Sequence, residues 1–86
     1  MIIKAHHKVL MNEIAGESVL LSTENDHYFT LNESGTRMYT VLIEQGSIEG
    51  ALVVLQEEYE VEESVLRRDL IALVEQLRHA HLIVVE

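Results

Sequence analysis

The 86-residue sequence has no cysteine, no proline and no tryptophan, and its aromatics amount to one phenylalanine and three tyrosines. Without cysteine there is no disulfide framework, no thiolate metal site and no cysteine nucleophile, and a reducing compartment such as the cytoplasm is the expected setting. Basic residues are also scarce. Six Lys and Arg stand against fifteen Asp and Glu, a formal charge of -9, which is the wrong sign for gripping a phosphate backbone without a local basic patch. No apolar run approaches the roughly 20 residues that cross a bilayer. The opening Met1 to Lys8 lacks the charge, long apolar core and small-residue cleavage site of a signal peptide, so neither secretion nor a membrane span is expected. What the chain does have is 48% apolar residues, enough for one small core. A chain of this length buries roughly 60–65% of its unfolded surface and has little stability to spare.

The first thirty residues have strand texture, with β-branched and aromatic residues in short runs between turn formers. Three strands are expected: His6 to Met11, Ser18 to Ser22, and His27 to Leu31. The first two form a hairpin whose longer loop, Asn12 to Glu17, contains Gly16. In the third, Phe29 and Leu31 alternate with Tyr28 and Thr30, and this strand is expected at or near a sheet edge. From Asn32 the apolar period changes to near 3.6, and three helices fit. Asn32 caps the first, which buries Met38, Val41 and Leu42 and stops at Gly46. Ser47 caps the second, with Ile48, Ala51, Leu52 and Leu55 inside and fraying near Glu58 and Tyr59. The third runs from about Glu63 to His79. Its Leu66, Leu70, Leu73 and Leu77 fall within roughly 60° of one another as a core seam, with Ile71 and Val74 rotated off it beside Arg67 and Arg78. The tail Leu82 to Val85 is β-prone and is expected to pair with the sheet or pack as a wing. The fold class is therefore α+β, a winged helix-turn-helix-like domain spanning residues 1–86, with a three-stranded antiparallel sheet followed by three helices.

Catalytic chemistry finds no support. His6 and His7 are adjacent and diverge on a strand, and His79 and His81 straddle a helix end, so the histidines read as exposed or capping rather than as metal ligands. The carboxylates of Glu57 to Glu63 read as a solvated connection, and nothing resembles a nucleophile elbow or a phosphate-cradling loop. No catalysis, metal or cofactor is expected. A DNA reader would carry basic side chains on its third helix, but Arg67, Arg68 and Arg78 are outnumbered by Glu62, Glu63, Asp69 and Glu75. The remaining feature is a β-rich strand, His27 to Leu31, together with a third helix of surplus apolar width. An open strand edge accepts a peptide as an added strand, and Ile71, Val74 and the stem of Arg67 can line a groove wall. Spacing alone does not choose between that wall and ordinary core.

Four segments carry a family resemblance. Gly16-Glu17-Ser18-Val19-Leu20-Leu21, His27-Tyr28-Phe29-Thr30-Leu31-Asn32-Glu33-Ser34-Gly35-Thr36, Gly46 to Tyr59, and Asp69-Leu70 through Leu77-Arg78-His79-Ala80-His81-Leu82-Ile83 together resemble the PqqD-like family, over nearly the whole chain. The most specific part is an aromatic-rich strand running into Leu-Asn-x-x-Gly. The resemblance implies a recognition element that binds the leader of a ribosomally synthesised, post-translationally modified precursor peptide along the third strand and against the third helix. It implies backbone pairing over His27, Tyr28, Phe29, Thr30 and Leu31, with side-chain contacts from Arg67, Leu70, Ile71 and Val74. The match looks closer to stand-alone proteins of lasso-peptide biosynthesis than to the pyrroloquinoline quinone protein itself, and such proteins present a leader carrying Tyr-x-x-Pro to a separate leader peptidase before a cyclase closes the ring. Alternatives are a peptide chaperone for another modifying enzyme, such as a radical SAM enzyme, and a winged-helix DNA-binding regulator. One departure is His81, where many relatives have glycine before the closing Leu-Ile.

Overall fold

Ser18, Leu20 and Ser22 are buried while Glu17, Val19 and Leu21 face solvent, and this period of two sets the middle of the main sheet in the computed structural model, which describes residues 1–86. The chain runs β1 (Ile3–Ala5), β2 (Val9–Ile14), β3 (Glu17–Ser22), β4 (Tyr28–Leu31), α1 (Glu33–Gln45), α2 (Ile48–Glu58), α3 (Glu63–His79) and β5 (Ile83–Val85). One antiparallel sheet has the order β2-β3-β4, which leaves β4 at an edge as expected. The expected α+β class, with a three-stranded antiparallel sheet followed by three helices, is the one observed.

Three details of the strand reading are corrected. The β2–β3 connection is a tight two-residue turn, because Ala15 (φ 55) and Gly16 (φ 85) both take the left-handed conformation that primed hairpin turns require. Alanine rarely adopts it, so the turn carries no sequence signal at its first position. The expected first strand, His6 to Met11, divides around a turn at His6–Lys8, and the residues before it form β1. The tail β5 pairs with β1, Ile3 opposite Val85, and not with the main sheet.

The helices begin and end where local chemistry dictates. Asn32 Oδ1 accepts from the Gly35 amide at 2.8 Å, and Ser47 Oγ from the Gly50 amide at 3.0 Å, each satisfying a first-turn donor. Gly46 (φ 74) closes α1 in the left-handed region. At the end of α3, the His81 amide donates to Arg78 O at 3.0 Å and the Leu82 amide to Leu77 O at 2.9 Å, a Schellman pattern with His81 at φ 59. A histidine there costs about 1 kcal/mol relative to glycine. Burial of both Leu77 and Leu82 holds the motif closed despite it.

Helix α1 is central, packing on β1, β3, β4, α2 and α3. Sixteen buried apolar residues from every layer form one core, including Leu20, Leu31, Leu42, Leu55, Leu70 and Leu77. A buried polar link ties the sheet to α1. Thr36 Oγ1 donates to the Leu31 carbonyl at 3.3 Å and receives the Ser18 hydroxyl at 2.8 Å, so the end of β4 is fixed to the helix that follows it.

Candidate functional site

The free edge of β4 follows from its register. Backbone bonds from Ser22 N to His27 O and from Thr23 N to Lys8 O show that even-numbered β3 residues pair with β4 and odd-numbered ones with β2. His27, Phe29 and Leu31 therefore direct their backbone groups at β3, whereas Tyr28 and Thr30 turn theirs to the open edge. Two N–H and two C=O groups stand available, with no charged side chain from His27 to Asn32. His27 is not part of that rail. It precedes the strand, its N–H donates to Asn25 Oδ1 at 3.1 Å, and its carbonyl accepts from Ser22.

Side chains split by face. Leu31 is buried and Phe29 packs on the core, so the inner face of β4 is anchored. Tyr28, 70% exposed, and Thr30 stand on the outer face. There Leu10 (61% exposed), Leu21 (40%) and Tyr28 lie in register across three strands as an apolar row. Sequence reasoning missed this row because the strand containing Leu10 was displaced by several residues. The signal that could have found it was apolar residues on both faces of β2.

On α3 the expected contact residues separate. Ile71 is 44% exposed and Arg67 lies beside it, half-buried. Leu70 is fully buried and Val74 only 7% exposed, so both serve the core. At 100° per residue, Val74 lies about 70° from the centre of the leucine seam, close enough to be covered, while Ile71 lies about 130° from it. The surplus apolar width of α3 is thus Ile71 alone. Ile71 sits in a shallow concavity of about 470 Å³ with Glu63, Ser64, Arg67 and Arg68. Arg67 is oriented by two carboxylates, bidentate to Glu49 on α2 and bonded to Glu63 at 2.6 Å. These hydrogen bonds raise the Arg67 pKa above its ordinary value, and the one from Arg67 lowers that of Glu49. Both β4 and α3 rest on α1, which holds rail and helix in one frame.

Nothing in this arrangement gathers three groups able to hold a metal ion. No helix is long and apolar enough to cross a membrane. Residues 17–83 match the family described as coenzyme PQQ synthesis protein D (PqqD). The chain belongs to the PqqD family. It is also similar to a solved structure described as TbiB1 in complex with the TbiA(beta) leader peptide, with 30% identity, 93% of each chain covered and a TM-score of 0.84. A structure of lasso peptide synthetase B1 complexed with the leader peptide shares the fold at 24% identity, covering 98% of this chain and 99% of that one, with a TM-score of 0.86. No curated protein matches the sequence.

Proposed function

We propose that this PqqD-family chain is a non-catalytic, cytoplasmic leader-binding protein of lasso-peptide biosynthesis, which takes the precursor leader as an added strand on β4 and delivers it to a leader peptidase. The observation that carries this reading is the uncharged rail of Tyr28 and Thr30 at the open edge, set in the same frame as Arg67 and Ile71. The likeness to a structure that holds a leader peptide supports it.

Four backbone hydrogen bonds, at about 0.5–1.5 kcal/mol net each, supply roughly 2–6 kcal/mol, short of the ~8 kcal/mol that a micromolar complex requires. Side chains must contribute the rest. In an added strand, guest residues paired with Tyr28 and Thr30 lie on the outer face and the residues between them turn inward. The inward residues meet the helical layer, where Ile71 and the Arg67 stem offer apolar surface. Leu70 and Val74 act from beneath, holding α3 in place. The outer row of Leu10, Leu21 and Tyr28 remains uncovered by such a guest and gives the peptidase an apolar surface to meet. Tethering the precursor there makes cleavage effectively intramolecular.

The test is a titration of the isotopically labelled chain with a synthetic leader peptide carrying a Tyr-x-x-Pro element. Shifts concentrated at the Tyr28 and Thr30 amides and along the exposed flank of α3 are expected. Binding that leaves both amides unmoved would falsify strand addition. Cleavage by a lasso-pathway leader peptidase, faster with this chain than without it, separates the lasso reading from service to another modifying enzyme.

A further inference from the structure

We infer that a small polar concavity, where the β3–β4 turn faces the end of α3, is a subsite for a neutral hydrogen-bond acceptor of the bound peptide, an amide carbonyl just beyond its strand-paired stretch. This inference rests on the strand-addition reading and adds a specificity element to it. The concavity, about 220 Å³, is lined by His6, Ser22, Glu24, Asn25 and His81, without an apolar residue.

Its chemistry is set by which atoms are already occupied. His6 Nδ1 accepts from the Lys8 amide at 3.1 Å, so the proton of the neutral ring is on Nε2. Ser22 Oγ accepts from the Glu24 amide at 3.3 Å, and Asn25 Oδ1 from the His27 amide at 3.1 Å. Each of these three side chains has an acceptor engaged with backbone and keeps its donor: the His6 Nε2–H, the Ser22 hydroxyl hydrogen and the Asn25 amide hydrogens. A surface so biased toward donors suits an oxygen acceptor. Glu24 is the one anionic group lining it, which disfavours a carboxylate and leaves the carbonyl of an amide.

The second observation is His81. It occupies a left-handed position, φ 59, where glycine is less strained, yet it places an imidazole on this concavity. Strain retained beside a cluster of unengaged donors points to use of the side chain. The location fits a guest on β4, because the outward backbone groups end at Tyr28 and the next segment, through Asn25, forms the wall of the concavity.

The experiment titrates the labelled full chain with the same synthetic leader and compares His81→Gly and Asn25→Asp, the latter keeping the acceptor that His27 uses. Expected are shifts of the Asn25 side-chain amide together with Tyr28 and Thr30, and affinities lowered roughly three- to tenfold in both variants. His81→Gly is expected to melt at a higher temperature while binding more weakly, a split that a purely structural histidine does not produce. Leaders carrying Gln or Glu at the residue nearest Asn25 separate acceptors, with Gln expected to bind more tightly. Should Tyr28 and Thr30 respond while the Asn25 side chain stays silent and His81→Gly binds like the parent, the subsite is overturned and strand addition stands. Tighter binding of the Glu leader overturns the neutral-acceptor assignment. Silence at Tyr28 and Thr30 removes strand addition and the subsite together.

Discussion

The main sheet has two edges, and they differ in what lies behind them. On β2 the outward backbone groups belong to Val9, Met11 and Glu13, and all but Val9 of that strand is exposed. A peptide added there would find hydrogen bonds on a strand with only Val9 packed against the core. On β4 the outward groups belong to Tyr28 and Thr30, the inner side chains are set into the core, and α1 supports both this strand and α3. Edge strands commonly carry charges or bulges that discourage pairing, and β4 carries neither. The difference teaches that an open edge becomes a selective site only where a neighbouring element can read alternate side chains.

The largest expected effect tests whether that wall is Ile71 alone. Val74→Asp places a carboxylate in the core and is expected to cost about 3 kcal/mol or more, visible as loss of cooperative unfolding in urea. Ile71→Asp, one turn earlier and exposed, is expected to keep stability within about 0.5 kcal/mol and to lower leader affinity about tenfold. Equal binding by a folded Ile71→Asp protein would move the wall elsewhere. Next come the edges themselves. Thr30→Pro removes an outward N–H and none that pairs with β3, so the fold is expected to survive while leader affinity falls at least about tenfold. Met11→Pro makes the same change on β2, and calorimetric titration is expected to show parental affinity. If the two prolines exchange their effects, the leader occupies the other edge.

Why some of this was legible in sequence and some was not follows from range. Helix limits depend on residues a turn away, so Asn32, Gly46 and Ser47 announced α1 and α2 correctly, and the leucine seam announced α3 from Glu63 to His79. The β1–β5 pair joins three-residue strands from opposite ends of the chain, and no local pattern encodes such a partner. At the site, the edge position of β4 was legible from its alternation. The division between Tyr28 and Thr30 on one side and His27, Phe29 and Leu31 on the other was not, because it depends on which residues of β3 face which neighbour. Periodicity likewise placed Val74 and Ile71 on one stripe, and only tertiary packing covered the first and left the second open.

A smaller effect is expected from the link that holds β4 against α1. Thr36→Val deletes the donor to the Leu31 carbonyl and leaves the buried Ser18 hydroxyl without its acceptor, at a cost of about 1–3 kcal/mol in urea unfolding. Leader affinity is expected to fall severalfold as the end of β4 loosens, and a stability loss with unchanged affinity would separate this anchor from the rail.

The smallest effects distinguish a charged helical layer from an uncharged edge. Glu58 is held below its ordinary pKa by its hydrogen bond to Arg37, and Glu49 by its bond to Arg67. For a lowered carboxylate pKa, the stabilisation is complete above the unfolded value near 4.5 and is withdrawn as pH falls through the lower folded value. Both pairs are exposed enough for solvent to screen them, so Arg37→Gln is expected to change Tm little at neutral pH and to blunt the loss of Tm on acidification below the ordinary carboxylate range. Neither pair supplies a backbone group to the β4 edge. Leader affinity is therefore expected to change by less than about twofold between roughly 0.05 and 0.5 M salt. A steep fall with salt would mean that charge, not the rail, carries recognition, and would return attention to the DNA-binding alternative.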